Sequence, residues 1–160
     1  MAKATKTNVL RHLDALKIPY ETREYTVDDD NFDGKLVAEK VDLPAEMIYK
    51  TLVLVGDTLP HLVCVIPVEL ELDLKAVARA AGCKSVHMLP QKDLLPLTGY
   101  LRGGCSPIGM KKQFPTVIDE TAVLFDKIYV SAGVRGETVG VEPNTLAEYI
   151  GARLLDVTAE

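Results

Sequence analysis

The sequence predicts an α+β (mixed α/β) fold, in which helices pack around one β-sheet within a single domain of residues 1–160. Two runs rich in β-branched residues, at 51–55 and 62–68, indicate a hairpin buried on both faces, and a turn-forming segment at 56–60 separates them. Several amphipathic segments begin with a helix-capping residue. The chain has 160 residues, 48% of them hydrophobic, which is enough for one core without disulfide or metal cross-links.

The first quarter of the chain predicts a helix, a strand and a second helix. Thr7 is a suitable N-cap for an amphipathic helix that ends near Lys17. Residues 20–27 combine strand-forming types with charged ones, which is typical of an exposed or edge strand. After an acidic loop, a short helix is expected at 36–41, followed by a helical turn that starts at Pro44.

The remaining elements follow from caps and β-branched runs. Asp73 is expected to cap a helix that Gly82 terminates, and Asn144 to cap the last helix. A helical turn at 91–95 is expected to stop at Pro96. Further strands are predicted at 86–89, 116–118, 128–131, 138–141 and, at a sheet edge, 154–157.

Charge and cysteine content restrict the class of protein. Eighteen Lys and Arg against 23 Asp and Glu give a net charge of −5, which excludes a general basic coat for DNA but leaves room for a local basic patch. The three cysteines, Cys64, Cys83 and Cys105, have no CxxC spacing, so neither a disulfide framework nor a zinc knuckle is expected. Without an apolar run of membrane-spanning length, we expect a cytoplasmic protein that does not enter a membrane.

Three features are candidates for a functional site. Lys50 begins an apolar strand, where it is either a snorkelling surface cation or a charge aimed into a pocket. Residues 99–115 contain four Gly and two Pro, so they form either an anion-binding loop or a structural crossover. The small-residue turn at 131–136 is a weak signal by itself.

Taken together, these motifs resemble the YbaK/EbsC family of aminoacyl-tRNA deacylases, relatives of the editing domain of bacterial prolyl-tRNA synthetase. The matching segments are Lys-Thr-Leu-Val at 50–53, Gly-Tyr-x-x-Gly-Gly-x-Ser-Pro-Ile-Gly-x-Lys-Lys at 99–112, and Ser-Ala-Gly-x-Arg-Gly at 131–136. Their order and spacing match the family across nearly the whole chain. The block at 99–112 is the specific signal.

The resemblance implies a mixed, partly barrel-like sheet with surrounding helices and a pocket between sheet and loops. It implies hydrolysis of mischarged tRNA, typically Cys-tRNA(Pro), without a metal or cofactor. For the YbaK branch, the resemblance further implies that the thiol of the substrate attacks its own ester, while the protein supplies position and charge. The expected partners are the acceptor end of the tRNA and prolyl-tRNA synthetase.

The resemblance also assigns residues. Lys50 matches the catalytic lysine, and Thr138 stands where some relatives have an acidic residue. The expected substrate-binding residues are Phe32, Tyr100, Gly103, Gly104, Ser106, Pro107, Ile108, Gly109, Ser131 and Gly133. The expected tRNA-binding residues are Arg102, Lys111, Lys112 and Arg135.

Physical chemistry supports an editing role but leaves the substrate open. A synthetase pocket for a small apolar amino acid distinguishes it from a competitor of similar size by only about 1–3 kcal/mol of binding free energy. A prolyl-tRNA synthetase therefore also charges some cysteine, and a second site has to remove it. One alternative is an Ala- or Ser-tRNA deacylase in which water attacks. Another is a non-catalytic module that binds tRNA or a synthetase, although such a module has no need for Lys50.

Overall fold

The computed structural model describes residues 6–26 and 34–159. In these ranges the α-helices are α1 (Asn8–Ala15), α2 (Gly34–Val41), α3 (Leu74–Ala81), α4 (Leu94–Thr98) and α5 (Pro143–Ile150). The strands are β1 (Glu21–Glu24), β2 (Tyr49–Gly56), β3 (Leu62–Pro67), β4 (Glu71–Leu72), β5 (Val86–Met88), β6 (Thr116–Asp119), β7 (Ile128–Ser131), β8 (Glu137–Val141), β9 (Arg153–Leu155) and β10 (Thr158–Ala159). Short 3₁₀ helices span Ala45–Met47, Gln91–Asp93 and Glu120–Leu124.

The described strands form two larger sheets and one short ribbon. The order β5-β2-β3-β6-β9 gives a mixed five-stranded sheet, in which β5, β2 and β3 are antiparallel and β3, β6 and β9 are parallel. Strands β1, β8 and β7 form an antiparallel three-stranded sheet, and β10 pairs with β4. The two larger sheets meet where Ile48, just before β2, bridges Tyr129 of β7 in parallel orientation.

The α+β class is confirmed, and the pairing refines the single predicted sheet. Patterning along one strand reports which face is buried but not which strand lies beside it. The sequence therefore did not reveal that the strands separate into two sheets that touch at Ile48 and Tyr129. The arrangement is an open one in which the two sheets enclose a core without forming a closed barrel.

Three clusters of buried side chains fill the spaces between these elements. The main core lies between the two larger sheets and is covered by α1 and α5; it includes Val9, Leu13, Val63, Val65, Val130, Val139 and Ile150. A second cluster lies between α3 and the outer face of the five-stranded sheet, and includes Leu54, Ile66 and Val77. The third packs α2 against the sheet junction, through Ala38, Val41, Ile48 and Tyr129.

Most of the predicted local structure is confirmed. The 51–55 and 62–68 runs pair as the antiparallel hairpin β2–β3. Thr7 caps α1 by accepting a hydrogen bond from the Leu10 amide, and Asp73 caps α3 by accepting from two amides of its first turn. Gly82 ends α3 in the left-handed conformation, at φ 72°. The predicted edge strand is β1, which pairs with β8 alone among the described strands.

Two predicted helix boundaries are wrong. The N-cap of α5 is Glu142, not Asn144: its carboxylate accepts hydrogen bonds from the amides of Asn144 and Thr145, and Pro143 occupies the first turn. Helix α4 continues through Pro96 to Thr98. Pro96 is the third residue of α4, where the backbone N–H has no intrahelical partner, so a proline is tolerated there.

The α-helices of residues 6–26 and 34–159 have at most eight residues each. None of these helices is long and apolar enough to cross a membrane.

Glu142→Ala should lower the free energy of unfolding by about 1 kcal/mol, because the first-turn amides of α5 lose their acceptor. Asn144→Ala is the matched control and should change it by less than about 0.5 kcal/mol, since Asn144 is exposed and its side chain only donates to Glu142. Urea unfolding followed by circular dichroism measures both. Equal losses in the two variants would contradict the assignment of Glu142 as the cap.

Candidate active site

Strand register places four polar side chains in one row across four strands. Arg23 in β1 lies opposite Thr138 in β8, which lies opposite Ser131 in β7. The parallel bridge between Ile48 and Tyr129 continues the row, because Lys50 and Ser131 each lie two residues beyond it. Residues two apart in a strand share a face, and neighbouring strands are about 4.8 Å apart, so Lys50 lies beside Ser131 on the face that α2 covers.

Lys50 is held by the β2–β3 ladder, in which it lies opposite Ile66. Its side chain is half-buried and makes no hydrogen bond or salt bridge to residues 6–26 or 34–159. The preceding residue, Tyr49, points to the opposite face and is anchored there by a 2.7 Å hydrogen bond to Thr121, whose hydroxyl donates to Asp119 at 2.6 Å. The backbone of Lys50 is therefore fixed while its charge remains available to a ligand.

The turn at 131–136 is formed by close contacts that require small residues. Ser131 Oγ accepts a hydrogen bond of 3.1 Å from the Gly133 amide, and the Ala132 amide donates to the Glu137 carbonyl. Gly133 has φ +97°, and a Cβ atom there would lie 2.9 Å from Val9 Cγ2. Because Ser131 Oγ accepts within the turn, its own proton can be donated to a substrate.

The glycine-rich loop is anchored to the core by its own side chains. The Tyr100 hydroxyl donates to the Ile108 carbonyl, and the Ile108 amide donates to Ser106 Oγ. Asn8 in α1 donates to the Gly109 carbonyl at 3.3 Å. These contacts bury Tyr100, Ser106 and Ile108 and give the loop a defined shape.

The loop and the turn are in direct contact. A Cβ atom on Gly104 would lie 3.2 Å from the Arg135 amide nitrogen and 3.2 Å from the Val134 carbonyl carbon. The Arg135 guanidinium donates through Nε to the Arg102 carbonyl at 2.8 Å. The turn at 131–136 therefore starts next to Lys50. Its middle residues, Val134 and Arg135, contact the glycine-rich loop at Arg102 and Gly104.

The structure brings some of the predicted site residues together and separates others. Lys50 and Ser131 are neighbours, and Gly103 and Gly104 follow Arg102, which Arg135 contacts. Five predicted substrate-binding residues lie in the anchored part of the loop: Tyr100, Ser106, Pro107 and Ile108 are buried there, and Gly109 lies against α1.

Two further predicted residues, Lys111 and Lys112, lie beyond the glycine-rich turn of the loop. Both are exposed, and the ammonium of Lys111 is 3.4 Å from the Pro96 carbonyl at α4. Phe32, which was expected to bind substrate, lies outside the described residues.

Sequence reasoning missed the role of Arg23. Its guanidinium donates to Glu21 at 2.9 Å and to the Val41 carbonyl at the end of α2 at 2.8 Å, and it lies over the Tyr129 ring. The hydrogen bond from Arg23 is the largest influence that lowers the pKa of Glu21. Arg23 thereby attaches α2 to the face that carries the row. In the sequence it belongs to a strand that reads as solvent-exposed, so nothing indicated this contact.

A second feature not evident from the sequence is Thr51. Its Oγ1 atom is buried and has no hydrogen-bond partner among the described residues. A buried hydroxyl without a partner is uncommon, because its desolvation is not compensated. By strand alternation it faces away from Lys50, towards the main core.

Two of the three cysteines, Cys64 and Cys105, lie where burial disfavours the reactive thiolate. Burial raises the pKa of Cys105 to about 12 and that of Cys64 to about 12. A thiol nucleophile has to be deprotonated, which requires a nearby base or cation. Cys105 lies within the glycine-rich loop, but its burial keeps it protonated at neutral pH.

Comparison with known proteins identifies the family. The family model described as the aminoacyl-tRNA editing domain matches residues 33–149. The chain belongs to the aminoacyl-tRNA editing domain family. Lys50, the glycine-rich loop and the 131–136 turn all lie inside the matched region, so the expected family membership is confirmed.

Individual relatives agree with this assignment. The Enterococcus faecalis protein EbsC, whose name assigns it deacylation of Cys-tRNA(Pro) and Cys-tRNA(Cys), is 43% identical over 155 residues, which cover 97% of this chain and 94% of EbsC. A crystal structure described as a trans-editing enzyme for prolyl-tRNA synthetase has a TM-score of 0.82 at 21% identity, covering 98% of this chain and 100% of that one. The crystal structure of hypothetical protein APE2540 has a TM-score of 0.86 at 22% identity, covering 96% and 100% of the two chains. The two crystal structures show that the fold is shared.

Proposed function

We propose that this protein is a trans-editing deacylase that hydrolyses mischarged tRNA, with Cys-tRNA(Pro) as its main substrate. The family and the name of the 43% identical EbsC support aminoacyl-tRNA deacylation. The observation that carries the proposal within this chain is Lys50, whose half-buried ammonium has no partner in the described ranges 6–26 and 34–159 and lies next to Ser131 on a sheet face. Such a group is suited to stabilise negative charge on a reacting ester.

The proposed reaction uses the thiol of the substrate as nucleophile. Its sulfur attacks the ester carbonyl carbon, the bond from that carbon to the ribose oxygen breaks, and the ribose oxygen takes up the proton that the thiol has lost. Water then opens the cyclic thioester to give cysteine. A negative charge develops on the carbonyl oxygen during the attack, and a preorganised ammonium stabilises it where water is excluded.

The residues of this chain have separate roles in the proposal. Lys50 stabilises the oxyanion, and Ser131 donates a hydrogen bond to the aminoacyl group. The Gly103 amide makes no hydrogen bond in the part of the chain that the structure describes, so it is available as a further donor. Arg102, Arg135, Lys111 and Lys112 bind phosphates of the tRNA, which fixes the position of the ester without reading the amino acid.

The cellular setting belongs to the same proposal. The protein acts in the cytoplasm, where tRNA is charged, and prolyl-tRNA synthetase is the partner that delivers the mischarged substrate. A chain with net charge −5 and four cations in the loop and the turn binds RNA weakly and in a salt-dependent way. A delivering partner compensates for that weak affinity.

Lys50→Met should lower deacylation of Cys-tRNA(Pro) by about 10²–10³-fold, because one preorganised electrostatic contact is removed. Lys75→Met is the matched control: Lys75 is exposed on α3, and we expect wild-type activity. Thermal melting of both variants checks that the fold is retained. If purified Lys50→Met keeps more than about a third of wild-type activity, Lys50 is only a surface cation.

Lys111→Ala and Lys112→Ala should weaken tRNA binding without changing which amino acid is removed. Each variant should reduce the slope of log affinity against log salt by about one unit, since each lysine neutralises one phosphate. Filter binding of tRNA at a series of KCl concentrations measures this slope. An unchanged slope would mean that the lysine lies away from the RNA.

Cys64→Ala, Cys83→Ala and Cys105→Ala should each retain hydrolysis of Cys-tRNA(Pro), whereas wild type should cleave Ala- and Ser-tRNA(Pro) very slowly. The reason is that the substrate, and not the protein, supplies the thiol. A deacylation panel with these three charged tRNAs and Cys-tRNA(Cys) tests both statements. Loss of activity in Cys105→Ala with good cleavage of Ala-tRNA(Pro) would assign the thiol to the protein. Active Cys105→Ala with good cleavage of Ala-tRNA(Pro) would identify water as the attacking group.

A further inference from the structure

Two exposed apolar side chains lie beside the contacting arginines. Leu101 is 53% exposed and directly precedes Arg102, and Val134 is 45% exposed and directly precedes Arg135. The first pair lies in the glycine-rich loop and the second in the 131–136 turn. Each segment therefore presents one apolar side chain next to one guanidinium.

The backbone holds these two pairs together. The Gly104 amide donates to the Leu101 carbonyl at 2.9 Å, which closes a tight turn around Arg102. Gly104 packs directly on the backbone of Val134 and Arg135, and Arg135 Nε binds the Arg102 carbonyl. Arg102 is directed by a 3.3 Å hydrogen bond to Gln91. Leu101 and Val134 consequently belong to two segments that are joined by direct backbone contacts.

The charge of this surface identifies the kind of partner. Residues 99–115 and 131–136 contain four cations and no acidic residue, while the whole chain has net charge −5, so the remainder has net charge −9. Cations concentrated in an acidic protein attract a polyanion to one place. Single-stranded nucleic acid presents phosphates and the flat faces of unpaired bases together, which matches a surface of guanidinium and apolar groups.

We propose that Leu101 and Val134 contact the bases of the unpaired nucleotides at the 3′ end of the tRNA, next to the charged terminal adenosine. Arg102 and Arg135 bind the phosphates of the same nucleotides. This inference rests on the proposed function and adds the two apolar side chains that contact the unpaired bases. The contact is tolerant of base identity, because an apolar side chain packs on any base face.

The test combines side-chain and base deletions. Cys-tRNA(Pro) is prepared in its normal form and in a form whose two cytidines before the terminal adenosine are abasic. Wild type, Leu101→Ala/Val134→Ala and the control Leu124→Ala are compared by steady-state kinetics. Leu124 is 76% exposed and lies outside both segments, in the 3₁₀ helix Glu120–Leu124.

On the normal substrate the double variant should show KM raised by about five- to tenfold with kcat nearly unchanged, and Leu124→Ala should match wild type. For wild type, the abasic substrate should raise KM by a similar factor. For the double variant it should raise KM only slightly, because removing the bases and removing the side chains abolish the same contact. An unchanged KM in the double variant, or fully additive losses, would overturn the inference.

A second measurement separates this inference from the proposed function. A fluorescein-labelled single-stranded RNA that ends in CCA is titrated with each protein and followed by anisotropy. Weaker binding by the double variant supports the inference even if wild type hydrolyses no Cys-tRNA(Pro). Unchanged RNA binding, together with weaker binding of prolyl-tRNA synthetase in gel filtration, would make the surface a protein-docking site and overturn the inference.

Discussion

The parallel bridge between Ile48 and Tyr129 is the contact on which the candidate active site depends. It joins the two larger sheets, and it aligns β2 with β7 so that Lys50 lies beside Ser131. Helix α2 packs on the same two residues, and Arg23 attaches the end of that helix to β1. A shift of one residue at the bridge would turn Lys50 to the other face, because side chains alternate along a strand.

Small residues determine how closely the loop and the turn approach each other. A side chain at Gly104 would press on the backbone of Val134 and Arg135, and one at Gly133 would press on Val9. Substitution at Gly133 is also opposed by its backbone conformation, since φ +97° is unfavourable for residues with a Cβ atom. The glycines therefore act together: they allow Arg102 and Arg135 to meet while the turn stays next to Lys50.

The chemistry available to the chain is electrostatic more than nucleophilic. Two of its thiols, Cys64 and Cys105, are kept protonated by burial, whereas the Lys50 ammonium has no partner among the residues that the structure describes. An editing reaction in which the substrate supplies the attacking thiol needs this combination. In the proposed reaction the enzyme holds the ester in place and stabilises the developing negative charge without forming a covalent intermediate of its own.

The sequence by itself determined the features that depend on neighbouring residues. The caps at Thr7 and Asp73, the stop at Gly82 and the β2–β3 hairpin are short-range effects, and each is confirmed. The motifs around Lys50, in the loop and in the turn were sufficient to predict the editing family. The cap of α5 was misassigned because Glu142 and Asn144 are both able to accept from first-turn amides, and only the backbone path through Pro143 selects between them.

Only the tertiary structure decided which side chains meet. Arg23, Thr138, Ser131 and Lys50 come from four strands, and their alignment depends on pairing registers between residues as far as 115 positions apart. The burial of Tyr100 and Ile108, and the hydrogen bond that joins them within the loop, are likewise set by the tertiary structure. Hydrophobic periodicity reports the buried face of one element, whereas the position of that face relative to other elements is set by long-range pairing and packing.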